Sequence, residues 1–343
     1  MSDPAAGLLD LAAVERWLGA HVPGFRGPLR AEKFAVGQSN PTFLLESPSG
    51  RLVLRRKPPG QLLKSAHAVD REFRVQKALA GSAVPVPRVI GLCEDESVIG
   101  TMFYVMEHVA GRHFMDPRLP GLASEERGAI FDEMNRVLAA LHSIDYAAIG
   151  LGNFGRPGDY FARQLARWTR QYRASETEAI AEMDALIAWL EEHRPEDDGR
   201  VALVHGDYRI DNLIFAAGSP RIAAVLDWEL STLGHPFADL AYQIMQWRMP
   251  PGDDTRGLAG VDRAALGIPA EEDYIARYCE RMGLAGIPGF HVWLAFSFFR
   301  MAAILQGVKK RGLDGNASNP ERAARMGRYV PTYARMGVEA AGV

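Results

Sequence analysis

The chain has 343 residues, 48% hydrophobic and 24% charged, with a formal net charge of −3. These are ordinary values for a folded globular chain of roughly two domains, and they exclude wholesale disorder and a strongly basic nucleic-acid binder. Two cysteines, Cys93 and Cys279, are too few for a disulfide scaffold or a zinc-ligand spacing, which fits a reducing cytoplasm.

Leu8, Leu11, Val14 and Leu18 recur at helical spacing, so a helix is expected over about 4–20, started by Asp3-Pro4. The acidic, charge-bearing N-terminus does not read as a signal peptide. From 30 to 56 the period shortens. Phe34, Val36, Phe43, Leu45, Leu52 and Leu54 fall into alternating runs broken by two turn-rich stretches, which predicts three antiparallel strands. A helix is expected at 66–80, and strands at 88–93 and 102–107. Beyond Gly111 amphipathic helices dominate, at about 124–142, 159–173, 178–193, 271–283 and 290–311. Within this helical half one β island is expected at 201–227. No apolar run reaches the length of a membrane span; the longest is broken by Arg300. Strands first and helices second predict an α+β fold of two lobes, 1–108 and 109–343.

The β island carries the chemistry. An apolar strand, Val201 to Val204, delivers His205-Gly206-Asp207 into a loop. Asn212 follows five residues after Asp207, and Asp227 closes another apolar strand at Val225-Leu226-Asp227-Trp228-Glu229. Phosphoryl transfer needs a carboxylate to orient and deprotonate a hydroxyl, hard oxygen donors for Mg²⁺, and a cation on the nucleotide phosphates. Asp207 suits the first role, and Asn212 and Asp227 the second. The pattern is H-x-D-x-x-x-x-N followed by a metal-binding Asp.

The stretches HGDYRIDN and VLDWELSTLGHPFADLAY resemble the catalytic and metal loops of the aminoglycoside phosphotransferase/choline kinase family. The resemblance runs from about 30 to 310. It is nearest to the kinase-like domain fused to acyl-CoA dehydrogenase-like domains, a subgroup that Leu52 to Gly60 also resembles. It implies a protein-kinase-like fold with an antiparallel sheet plus a helix in the N-lobe and a mainly helical C-lobe. It also implies an ATP- and Mg²⁺-dependent transfer to a small-molecule hydroxyl. Asp207 would be the catalytic base, His205 a brace for its loop, and Asp239 structural. Arginine at Arg55 replaces the usual lysine of the third strand, and Lys57 lies two residues on, toward the same face. Either could clamp phosphates; Arg55 is preferred, with Glu72 as its partner. A reduced glycine loop leaves Ser39 and nearby N–H groups to cradle phosphate. Met106 to Val109, including Glu107, would form the hinge for adenine.

Gly206 stands where protein kinases carry an arginine, and only eleven residues separate Asp227 from Asp239. No peptide-binding activation segment fits there, so a small-molecule acceptor is expected, with neither nucleic acid nor membrane as partner. Arg300, within a long apolar helix, needs an anionic partner and is a candidate for the substrate, as is Trp247 beside a Pro-Gly-Asp loop. A hydroxy acid or hydroxyacyl-CoA is the expected acceptor. An aminoglycoside or amino alcohol is the alternative; it would need carboxylates such as Asp253, Asp254, Glu271, Glu272 or Asp273. A nucleotide-binding pseudokinase acting as a regulator is the reading from another class.

Overall fold

The computed structural model describes residues 9–34, 40–58, 68–317 and 319–342. In chain order, helix α1 (Leu11–His21) precedes strands β1 (Arg30–Lys33), β2 (Thr42–Ser47) and β3 (Gly50–Arg56) and helix α2 (Val69–Leu79). Strands β4 (Val89–Cys93), β5 (Phe103–Glu107) and β6 (Arg112–His113) lead to helices α3 (Ser124–His142), α4 (Tyr160–Ser175) and α5 (Ala181–Glu192). Short strands β7 (Ala202–Val204), β8 (Leu213–Phe215), β9 (Ile222–Val225) and β10 (Thr232–Gly234) follow. The chain ends with α6 (Pro236–Arg248), α7 (Arg263–Leu266), α8 (Glu271–Met282), α9 (Phe290–Leu313), α10 (Pro320–Gly327) and α11 (Val330–Ala341).

The chain forms two compact units. The first comprises Met1–His113, Ile149–Leu151 and Asn212–Ser231; the second comprises Phe114–Ala148, Gly152–Asp211 and Thr232–Val343. In the first, an antiparallel sheet has the order β1-β2-β3-β5-β4. Side chains alternate between its faces. Phe43, Leu45, Leu54, Phe103 and Val105 pack with Val14, Trp17 and Leu18 of α1, while Val53, Tyr104 and Met106 pack with Val69 and Phe73 of α2. Arg55 therefore shares the α2 face with Val53, directly opposite Tyr104.

A second, three-stranded sheet, β6-β8-β9, belongs to this unit. The 201–227 island expected in the helical half is thus divided: β7 stays in the second unit and pairs with β10, whereas β8 pairs with β6. This pairing also carries the first segment to His113, past the expected boundary at 108.

In the second unit α9 is the central helix, packed against α4, α5, α6, α10 and α11. By length and composition α9 alone among the described residues could cross a bilayer, but 72% of its apolar window is buried in the protein, as expected of a core helix. The expected helices correspond to α3, α4, α5, α8 and α9. Helix α6 was not foreseen: every residue from Pro236 to Trp247 is buried, so it shows no polar stripe.

Candidate active site

In the first unit the site is built around Arg55. This guanidinium is 8% exposed. Its Nε lies 2.8 Å from Glu72 Oε2, its Nη2 is 2.6 Å from Asp227 Oδ1, and Glu229 stands at 3.6 Å. Glu72, on the first turns of α2, also accepts from the Tyr104 hydroxyl and from the Asn40 amide, at 3.2 and 2.7 Å. Burial, reinforced by the neighbouring charges of Asp227 and Glu229, pushes Glu72 up to about 7 against the pull of Arg55. Burial alone works against the Arg55 charge, but Glu72 and Asp227 hold it firmly protonated. Lys57 makes no ion pair among the described residues. The pairing expected of Arg55 and Glu72 is present, and of the two basic candidates Arg55 alone is buried among carboxylates.

The strand register brings the two expected metal ligands together. Leu213 faces Val225, and the Leu226 N–H donates to the Asn212 carbonyl at 2.8 Å, one residue before Asp227. Asp227 adopts φ +62°, a region that costs a non-glycine residue roughly 1–3 kcal/mol and persists only where the surrounding structure over-determines it. The next residue, Trp228, is fully buried and donates its indole N–H to the Val225 carbonyl at 2.9 Å, which holds the turn. Three carboxylates around one guanidinium leave an excess of negative charge, and Asn212 and Asp227 offer hard oxygen donors. That set fits Mg²⁺, which in phosphoryl-transfer sites takes one or two carboxylates plus phosphates and waters. Among the described residues no group of three His, Cys, Asp or Glu side chains could hold a metal unaided.

In the second unit Asp207 follows Gly206, whose φ of +84° favours glycine and explains the HGD sequence. The Tyr242 hydroxyl donates to Asp207 Oδ1 at 2.6 Å, and Arg209 Nε lies 3.2 Å from the same oxygen. Arg209 also pairs with Asp211 at 3.0 Å, and Arg256 pairs with Asp211 as well. Burial opposes the Arg209 charge, but Asp207, Tyr242 and Asp211 raise its pKa. Burial, and then the Asp207 charge, push the Tyr242 phenol well up, so it remains a donor.

The loop is held from behind. Asp239, 1% exposed, accepts the His205 and Gly206 N–H groups at 2.6 and 2.8 Å. His142 Nε2 lies 3.4 Å from the same carboxylate. Burial pushes Asp239 up, but the hydrogen bonds from His142 and His205 carry it below its ordinary value. His205 is fully buried and its Nδ1 accepts the Asp207 N–H at 3.2 Å, a position for a brace rather than a reacting group. The Tyr208 hydroxyl ties the loop to the Met134 carbonyl at 2.9 Å.

Other expected residues are placed as follows. Ser39 lies outside the described residues. Glu107 ends β5, and its carboxylate accepts the Arg88 N–H at 2.9 Å. Val109 follows β5 and its backbone finds no partner among the described residues. Trp247, expected at the substrate, is instead a core residue. It is 2% exposed, its N–H donates to the Pro269 carbonyl at 2.9 Å, and it packs on Phe131 and Tyr274. Arg300 is buried and its Nη2 donates to the Gly206 carbonyl at 2.9 Å. Of the acidic residues considered for a cationic acceptor, Glu271 is paired with Arg248 and Asp254 with Arg325. Asp273 lines, with Asp132, Tyr274 and Arg277, a cavity of about 250 Å³ that none of the expected site residues lines. Sequence reasoning missed Tyr242, Arg209 and Asp211; the last two lie within the HGDYRIDN motif, but Tyr242 is 35 residues from Asp207 and carried no signal.

Residues 30–278 match the phosphotransferase enzyme family APH. Over 320 residues the chain is 49% identical to mouse acyl-CoA dehydrogenase family member 10, covering 93% of this chain and 30% of that protein. The chain thus spans less than a third of that relative's length. A crystal structure from Ralstonia eutropha JMP134, provisionally described as an aminoglycoside phosphotransferase, is 52% identical, with a TM-score of 0.88 and coverage of 97% of this chain and 98% of that one. The aminoglycoside phosphotransferase APH(4)-Ia, crystallised as a thermostable mutant with ADP and hygromycin B, has the same fold. It is 16% identical, with a TM-score of 0.63 and coverage of 96% and 98%.

Proposed function

The chain belongs to the phosphotransferase enzyme family, and we propose that it moves the γ-phosphoryl group of ATP to a hydroxyl of a small hydroxy acid or its CoA thioester. The observation that carries the nucleotide half of this reading is the buried Arg55 bridging Glu72 and Asp227. In this reading Arg55 clamps the phosphates with a guanidinium that Glu72 holds in place. Asn212 and Asp227 hold Mg²⁺, which when bound neutralises phosphate charge. Asp207 orients the acceptor hydroxyl and takes its proton as the new oxygen–phosphorus bond forms and the bond to the leaving ADP oxygen breaks. Tyr242 and Arg209 hold Asp207 Oδ1 and so fix the orientation of the carboxylate toward the acceptor. The kinship with an acyl-CoA dehydrogenase family member supports an acyl-bearing acceptor, and the pairing of Glu271 and Asp254 with arginines disfavours a polycation.

The test is ATP consumption with Mg²⁺ by wild type and Asp207→Asn, with hydroxy acids and hydroxyacyl-CoAs in one panel and aminoglycosides and amino alcohols in the other. Acceptor-dependent turnover with the first panel, reduced on the order of 10²–10⁴-fold in the variant, is expected. Turnover with the second panel alone refutes the acceptor. ATP binding without turnover of any acceptor leaves a nucleotide-binding pseudokinase.

A further inference from the structure

Two half-buried arginines near the Asp207 loop are matched by carboxylates, whereas the buried one is not. Arg209 pairs with Asp207 and Asp211, and Arg256 pairs with Asp211. Arg300, on α9 and 8% exposed, has no ion pair among the described residues. Its guanidinium lies between the rings of Trp168 on α4 and Tyr242 on α6, 5.7 and 5.5 Å from their centres. Its Nη2 donates to the Gly206 carbonyl at 2.9 Å, but its buried Nε–H has no acceptor among the described residues. The buried Trp168 indole N–H has none either. Burying a charge without a counterion is costly, and orphaned donors are rare enough that each calls for an explanation. Here two of them share one cluster, next to the residue that precedes Asp207, and one of the rings in that cluster hydrogen-bonds Asp207 itself.

We propose that the Arg300 Nε–H and the Trp168 indole N–H form a subsite for an acyl oxygen of the acceptor, carbonyl or carboxylate, whose hydroxyl is presented to Asp207. The inference rests on the acceptor reading above and deepens it. Two N–H donors, one of them cationic, select an oxygen acceptor and repel an ammonium group, which separates hydroxyacyl compounds from amino alcohols. A site built to hydrogen-bond a substrate group discriminates against an analogue lacking it, because its donors are then left buried and unpaired.

The test uses Trp168→Phe, which keeps an aromatic face for Arg300 and removes one donor, and Arg300→Gln as a second variant. Probes are hydroxybutyrate, hydroxybutyryl-CoA and the corresponding plain alcohol, butan-2-ol. Wild type is expected to favour at least one acyl probe over the alcohol by about tenfold or more in kcat/KM. In Trp168→Phe that preference shrinks through KM for the acyl probe, while KM for ATP is unmoved. The responding acyl form tells a carboxylate from a thioester. An unchanged preference in Trp168→Phe overturns the proposal, as does a wild type that does not distinguish the alcohol. Thermal shifts by hydroxybutyrate and hydroxybutyryl-CoA in the presence of AMP-PNP and Mg²⁺ provide a readout without turnover. A shift lost in Trp168→Phe supports the subsite, and no shift with either probe in wild type overturns it. Loss of ATP turnover in Asp207→Asn reports on the phosphotransferase reading separately.

Discussion

Asp239 offers the sharpest test of how the catalytic loop is held. Its carboxylate is 1% exposed and accepts two backbone donors, the N–H groups of His205 and Gly206, at 2.6 and 2.8 Å. Asp239→Ala removes both acceptors and leaves the donors buried. Each orphaned group costs about 1–3 kcal/mol, so the variant loses about 2–6 kcal/mol. Asp239→Asn retains one oxygen but turns an amide N–H₂ toward a backbone donor, so about half that loss is expected. A typical domain has only about 5–15 kcal/mol in total, and the alanine variant sits near the limit of folding. Urea midpoints at neutral pH, followed by tryptophan fluorescence, measure both. The asparagine variant also probes acid stability. Asp239 is held below its ordinary value, so its charge stabilises the fold fully above the unfolded value, near 3.8, and that contribution is lost as the pH falls through the folded value. Wild type therefore loses stability on this acid limb and Asp239→Asn loses less. An alanine variant within about 0.5 kcal/mol of wild type refutes the claim that this carboxylate carries the loop.

Glu72 gives the opposite sign. Its folded value of about 7 lies above the unfolded 4.5, so the stability linked to it is complete below 4.5 and is lost as the pH rises through 7. Without Mg²⁺ or nucleotide, the melting temperature of wild type should drop between pH 5 and pH 8, and Glu72→Gln should flatten that drop; an equal drop in both refutes the assignment. A Cβ at Gly111 would clash with the Phe215 carbonyl oxygen and the Ile214 side chain where β6 meets β8. Gly111→Ala should therefore lower stability in urea by about 1–3 kcal/mol. Gly19→Ala, in α1 with nothing within 4 Å of its Cβ, should raise stability by up to about 1 kcal/mol. Equal effects at the two sites refute the close approach.

The sequence by itself determined what local pattern and spacing can carry. The run Ser124–His142 has one buried stripe, and its helix bounds follow from it. The three strands between Arg30 and Arg56 follow from alternation and turn residues. Asp207, Asn212 and Asp227 are legible as candidates because the H-x-D-x-x-x-x-N pattern and the Asp that follows it lie within one short stretch of sequence. Arg55 and Glu72 were legible through resemblance to the third-strand lysine of kinases and its helix partner, and the structure pairs them. Periodicity could not show α6, which is buried on all sides, nor could it show that β8 joins β6, since strand pairing is a long-range choice set by where apolar faces meet. The tertiary structure alone decided that Tyr242 reaches Asp207, that Trp247 is core, and that Arg300 lies without a carboxylate beside Gly206. Those facts depend on which helices converge at one loop, and sequence spacing holds no record of a contact made between α4, α6 and α9.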